Sequence, residues 1–167
     1  MKNKKVWHIH GALNNPNSII LGYEHYSGYL QSMRGYTTTG SQYSNESFNK
    51  PLTKRLKEND VGNSWIDDFF TKDVYVLGLS LDFVEIDLWW LLTFRERSRL
   101  TKKIKLQHEI TYYIPDHFYG DPASKSKVDL LKSVGVKVNH EFGAVFKGNE
   151  EKYYLDIIND IYNKTNR

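Results

Sequence analysis

Two histidines two residues apart, His8 and His10, are the first side chains able to exchange a proton near neutral pH. Residues 5–10 carry Val6, Trp7 and Ile9, which predicts a strand. On a strand both imidazoles point to one face, because side chains repeat every two residues. A metal would need a third ligand, and the sequence identifies none, so the pair also fits two histidines that decorate a strand end. His10 alone has the better chemistry, that of a general base, at the point where the strand stops. Gly11 behind it would let a substrate come close to the backbone.

A second turn, Gly78-Leu79-Ser80, follows the apolar run Val74-Tyr75-Val76-Leu77. Glycine after a buried strand permits close backbone approach, and the start of the next helix offers N–H groups to a phosphate or a ribose. The same residues serve equally as an ordinary helix start in which Ser80 or Asp82 is the cap. Asp82, Glu85 and Asp87 crowd that first turn, where the helix dipole favours carboxylates. Asp87 stands out among them. Its neighbours are apolar, and a carboxylate on a buried face needs partners.

The elements that must hold these residues follow from periodicity. After residues 5–10 comes the turn-rich Asn14-Asn15-Pro16-Asn17, then a short apolar run over 18–21. Tyr26, Tyr29, Leu30 and Met33 predict a helix over 23–33, and the polar stretch 35–50 a surface loop. Helices are expected over 51–57 and 65–70, the second capped by Asn63 or Ser64. A buried strand at 74–78 precedes a helix whose face carries Val84, Leu88, Leu91, Leu92 and Arg95. Strands at 110–114 and 136–138 alternate with helices at 124–133 and 150–162. This alternation predicts an α/β fold, a mostly parallel sheet flanked by helices, with 5–10 and 74–78 among its central strands. Ligands of such sheets sit at the carboxyl ends of the strands, where both glycine turns fall.

Composition narrows the function. The 167 residues read as one domain, long enough to bury a core, and 12 Tyr, 8 Phe and 4 Trp argue against disorder. The net charge of +3 is small and dispersed, which argues against a nucleic-acid partner. The basic run Lys102-Lys103-Ile104-Lys105 reads as a solvated helix end. With no cysteine, thiolate chemistry, disulfides and cysteine-ligated zinc are excluded. No secretory signal and no membrane-spanning run is visible, so the chain reads as a soluble cytoplasmic protein.

The segments Val6-Trp7-His8-Ile9-His10-Gly11 and Ser18-Ile19-Ile20-Leu21-Gly22-Tyr23-Glu24-His25-Tyr26 resemble the histidine–glycine region of bacterial sirtuin-like domains. Ser64-Trp65-Ile66-Asp67-Asp68-Phe69-Phe70, Val76-Leu77-Gly78-Leu79-Ser80-Leu81-Asp82 and Glu85-Ile86-Asp87-Leu88-Trp89-Trp90-Leu91-Leu92 are similar to that family's glycine–serine segment and the acidic helix after it. The resemblance covers roughly residues 5–115. It implies a Rossmann-like domain across residues 1–167 that takes NAD as its substrate and cleaves the nicotinamide–ribose bond; the sirtuin zinc module needs cysteines that this sequence lacks, so no metal is expected. It implies His10 as the base towards a ribose hydroxyl or a water. It maps the family's nucleotide-contacting glycine and serine onto Gly78 and Ser80, and Gly11, Asp82 and Asp87 are expected as further contacts to the dinucleotide. Sirtuins pass the ribosyl group to an acyl-lysine. Many bacterial sirtuin-like domains hydrolyse NAD instead, often in anti-phage defence. The family's Gly-rich βα unit has no counterpart ahead of His10, so the resemblance is to the C-terminal part of such a domain.

Two other readings stand beside this one. One is a non-catalytic α/β interaction module whose aromatic surface binds a protein partner or a second copy. The other is a nucleic-acid binder that uses the Tyr-rich stretch 35–48 and the basic helix end. The salt dependence of binding would separate it from the rest.

Overall fold

A computed structural model describes residues 7–19, 22–40, 49–62, 64–82, 84–142 and 148–165. In chain order the helices are α1 (Gly22–Thr38), α2 (Leu52–Glu58), α3 (Trp65–Thr71), α4 (Ile86–Leu100), α5 (Asp116–Tyr119), α6 (Pro122–Ser133) and α7 (Glu150–Thr165). The strands are β1 (Val74–Val76), β2 (Ile110–Tyr113) and β3 (Val136–Asn139). The fold is α/β, with a parallel three-stranded sheet flanked by helices. Contacts divide the chain into two compact units: Met1–Thr71 with Leu81–Leu106, and Lys72–Ser80 with Gln107–Arg167.

The second unit holds the sheet, in the order β1-β2-β3. Val74 pairs with Ile110, and Ile110 in turn with Val136. All four residues of β2 are buried, as a strand flanked on both sides in a parallel sheet requires. Capping explains the helix limits. Asp121 accepts a hydrogen bond from the Ser124 N–H at 3.0 Å, with Pro122 in the first turn of α6. The Asn149 side chain accepts from the Lys152 N–H at the start of α7. Gly135, at φ +75°, turns the chain from α6 into β3. Tyr113, Tyr153 and Ile157 form a core cluster against which Tyr75, Leu77, Phe142, Tyr154 and Ile161 pack. Ile158, next to Ile157 in α7, is half exposed.

The first unit is helical. Leu88, Leu91 and Leu92 of α4 are buried, as their spacing predicts, whereas Val84 lies before the helix and is exposed. Ser64 is the cap of α3, accepting from the Asp67 N–H at 3.3 Å; Asn63 lies outside the described residues. α1 continues to Thr38, so the start of the expected 35–50 loop is helical, and 41–48 lie outside the described residues.

The expected strand at 5–10 is not formed where it is described. His8 to Gly11 is a tight turn, closed by the Gly11 N–H donating to the His8 carbonyl at 3.2 Å. Trp7 and Ile9, which suggested a strand, pair with no strand among the described residues. Trp7 instead donates its indole N–H to Asp68 of α3 at 2.8 Å. The central strand is β2, with β1 at one edge. Of the apolar run 18–21, Ser18 closes a 3-10 turn (Pro16–Ser18), and residues 20 and 21 lie outside the described residues.

Candidate functional site

His10 is held by a loop that folds back on itself. The Asn15 N–H donates to the Ala12 carbonyl at 2.9 Å, and the Ser18 N–H to the Asn15 carbonyl at 2.9 Å. The Ser18 hydroxyl donates to the Asn15 carbonyl and accepts from the Ala12 N–H. Gly11 is the hinge of this loop, at φ +92°. A β-carbon there would lie 2.3 Å from the Ser18 carbonyl oxygen and 2.6 Å from the Ile19 α-carbon. The glycine is therefore required by the chain's own backbone, and the space expected for a substrate is occupied by residues 18–19. Gly11→Ala should destabilise the first unit by about 2–3 kcal/mol, through strain and a backbone clash with nowhere to relax. Urea denaturation followed by tryptophan fluorescence reads this loss, and a change below about 0.5 kcal/mol would contradict it.

Around His10 the structure gathers residues from three segments of the first unit. The His10 Nε2 lies 3.3 Å from the Glu85 Oε2. Both atoms are buried, and the approach is an ion-pair contact rather than an aligned hydrogen bond. Tyr26 of α1 meets the imidazole edge-on, with ring centroids 5.9 Å apart. One turn further on, Tyr29 accepts a hydrogen bond from the Trp65 indole at 3.0 Å. Asp87, in the first turn of α4, is fully buried, and neither of its carboxylate oxygens makes an aligned hydrogen bond among the described residues.

Electrostatics tie the group together. Burial pushes the Asp87 carboxyl above its ordinary range, and it outweighs the backbone N–H groups of Asp87 and Leu88 and the nearby His10, which pull the other way. The Tyr26 hydroxyl is raised by desolvation and by the charges of Glu85 and Asp87. A carboxyl whose folded pKa exceeds its unfolded value contributes stability below that unfolded value, near 3.8, and loses it as pH rises through the folded value. At neutral pH an ionised Asp87 is therefore a liability to the fold. Asp87→Asn should be more stable than the parent at pH 7, with the advantage disappearing at pH 3.5. Paired urea titrations at the two pH values check this, and a variant less stable at pH 7 would overturn it.

The other expected site residues fall elsewhere. Glu85 is the N-cap residue of α4 and no side chain caps that helix, so neither Ser80 nor Asp82 has the capping role. Asp82 is exposed, and its carbonyl accepts from the Glu85 N–H at 3.0 Å. His8 is exposed on the turn and does not share a strand face with His10. Gly78 and Ser80 belong to the second unit and line a cleft of about 340 Å³ at the carboxyl ends of β1 and β2. Tyr112, Pro115, Phe118 and Tyr154 supply aromatic and apolar wall. Lys127 donates to the Ser80 carbonyl at 2.8 Å, and the Tyr112 hydroxyl to the Leu79 carbonyl at 2.9 Å. Gly78 is needed for its φ of +70°; a β-carbon there would make only ordinary contact with Tyr154.

Glu85 belongs to the site as well, and its place among three carboxylates is the signal in the sequence that points to it. A buried pair in the same unit left no such signal. Arg55 and Asp67 are almost fully buried, with Nη2 and Oδ1 3.1 Å apart and a hydrogen bond from Nη1 to Oδ2 at 3.2 Å. Their separation by twelve residues follows no helical or strand period. Among the described residues no cluster of three or more His, Cys, Asp or Glu side chains is arranged to hold a metal ion. No described helix is long and apolar enough to cross a membrane. No protein-family model, no curated protein and no solved structure matches the chain.

Proposed function

We propose that the His10 group is the acid–base site of an NAD glycohydrolase of sirtuin-like type, acting in antiviral defence. The observation that carries this reading is the imidazole of His10 set against Glu85 beside the fully buried carboxyl of Asp87. A buried carboxyl with a perturbed pKa next to a titratable imidazole is the pattern of a functional site rather than of a stabilising one.

The chemistry fits the charges. Cleavage of an N-glycosidic bond passes through a ribose carrying positive character, which fixed carboxylates stabilise electrostatically. The bond from the ribose C1′ to the nicotinamide nitrogen breaks with its electron pair going to that nitrogen, cancelling its positive charge. A water oxygen bonds to C1′, and its proton passes to His10. The products are nicotinamide and ADP-ribose. Gly78 and Ser80 enter the reading as nucleotide contacts through the resemblance, and the cleft they line has aromatic walls and one amine, Lys127. Incubating the protein with NAD and quantifying the products tests this. Nicotinamide and ADP-ribose in equal amounts are expected; NAD left intact would overturn it.

A further inference from the structure

The two ring nitrogens of His10 stand in different surroundings. Nε2 is buried and faces Glu85 Oε2 at 3.3 Å, while the side chain as a whole keeps 33% of its surface exposed. Nδ1 makes no hydrogen bond among the described residues and is the nitrogen that solvent reaches. A neutral imidazole has one N–H and one lone pair, on different nitrogens. A carboxylate attracts the N–H and repels the lone pair, so its position selects the tautomer. Glu85 therefore favours the proton on Nε2. Asp87 interacts electrostatically with His10 as well, and its carboxylate favours the ring once His10 has taken up a proton.

We propose that Glu85 is the positioning residue of this site: it holds the His10 ring with its proton on Nε2 and leaves Nδ1 as the proton acceptor. This rests on the reading of His10 as a base, and it names the atom and the partner which that reading lacks. The proton removed from water or a ribose hydroxyl goes to Nδ1, giving an imidazolium whose buried Nε2 lies 3.3 Å from the Glu85 carboxylate. The carboxylate keeps its charge throughout, which is the usual division of labour between a base and the group that orients it. Glu85 suits the task because it is the N-cap residue of α4, where the backbone of a 15-residue helix anchors it.

Nitrogen-15 NMR of the uniformly labelled protein at neutral pH tests this without any substrate. The expected spectrum shows a protonated Nε2 and an unprotonated Nδ1 for His10, with an Nε2–H proton protected from exchange with water. Glu85→Ala should abolish that protected proton while leaving the backbone amide spectrum largely unchanged. Should Glu85→Ala fail to fold, Glu85→Asp withdraws the carboxylate by one methylene and should weaken the same resonance. A proton on Nδ1 in the wild type, or a protected Nε2–H that persists in the variant that folds, would overturn the proposal. The expected tautomer in a protein that leaves NAD intact would keep the positioning role and remove only the glycohydrolase reading.

Discussion

His10→Ala should lower nicotinamide release at least 100-fold. General-base assistance is worth about 10²- to 10⁴-fold, and 100-fold corresponds to about 2.7 kcal/mol of transition-state stabilisation. The side chain is one-third exposed and makes no hydrogen bond among the described residues, so its removal leaves the loop's backbone bonds intact. The loss should therefore fall on kcat and not on folding. His8→Ala is the control. Its side chain is exposed, and it is the backbone carbonyl that accepts from Gly11, so the rate should change by less than about threefold. Steady-state kinetics with both variants, alongside a circular dichroism melt, separate the outcomes. Equal losses for His8 and His10, or an unchanged rate for His10→Ala, would remove His10 from the reaction.

Asp67→Ala should cost the first unit about 3–5 kcal/mol, the range for removing one partner of a buried ion pair. The expected loss is large because the carboxylate is shared. Besides Arg55, it accepts from the Tyr36 hydroxyl at 2.8 Å and from the Gly62 N–H at 3.1 Å. The Arg55 guanidinium also lies 4.4 Å from the centre of the Tyr36 ring. Burial and the Asp67 charge push the Tyr36 hydroxyl up to about 12, so it remains a donor across the neutral range. One side chain of α3 thus ties together α1, α2 and the segment that follows α2. Without it a buried guanidinium has lost its counter-charge. Domain stabilities of about 5–15 kcal/mol leave little after such a loss. Urea denaturation followed by the fluorescence of Trp65 measures it. A loss under about 1 kcal/mol would mean that the pair is hydrated or remade elsewhere.

Much of the fold was legible because it is local. The run at 74–77 and the spacing of Leu88, Leu91 and Leu92 each act within a few residues of chain. Periodicity and caps report such effects directly. Residues 7–10 differ, because a strand exists only through a partner, and strand-forming side chains cannot say whether one is there. Gly11 is a second case. A sequence shows that a residue lacks a β-carbon, not what would collide with one.

The candidate site divides along the same line. The amino-acid sequence by itself determined that a histidine stands before a glycine in a turn-rich loop, that three carboxylates crowd the start of one helix, and that no thiol is present. It also marked Asp87 as a carboxylate on an apolar face, which follows from spacing alone. Only the tertiary structure decided that His10 faces Glu85 and not His8, that Asp87 is fully buried beside them, and that Gly78 and Ser80 line a cleft of the other unit. The reason is range: helix phase and capping act over one or two turns, whereas a contact between residues 10 and 85 depends on how whole elements pack.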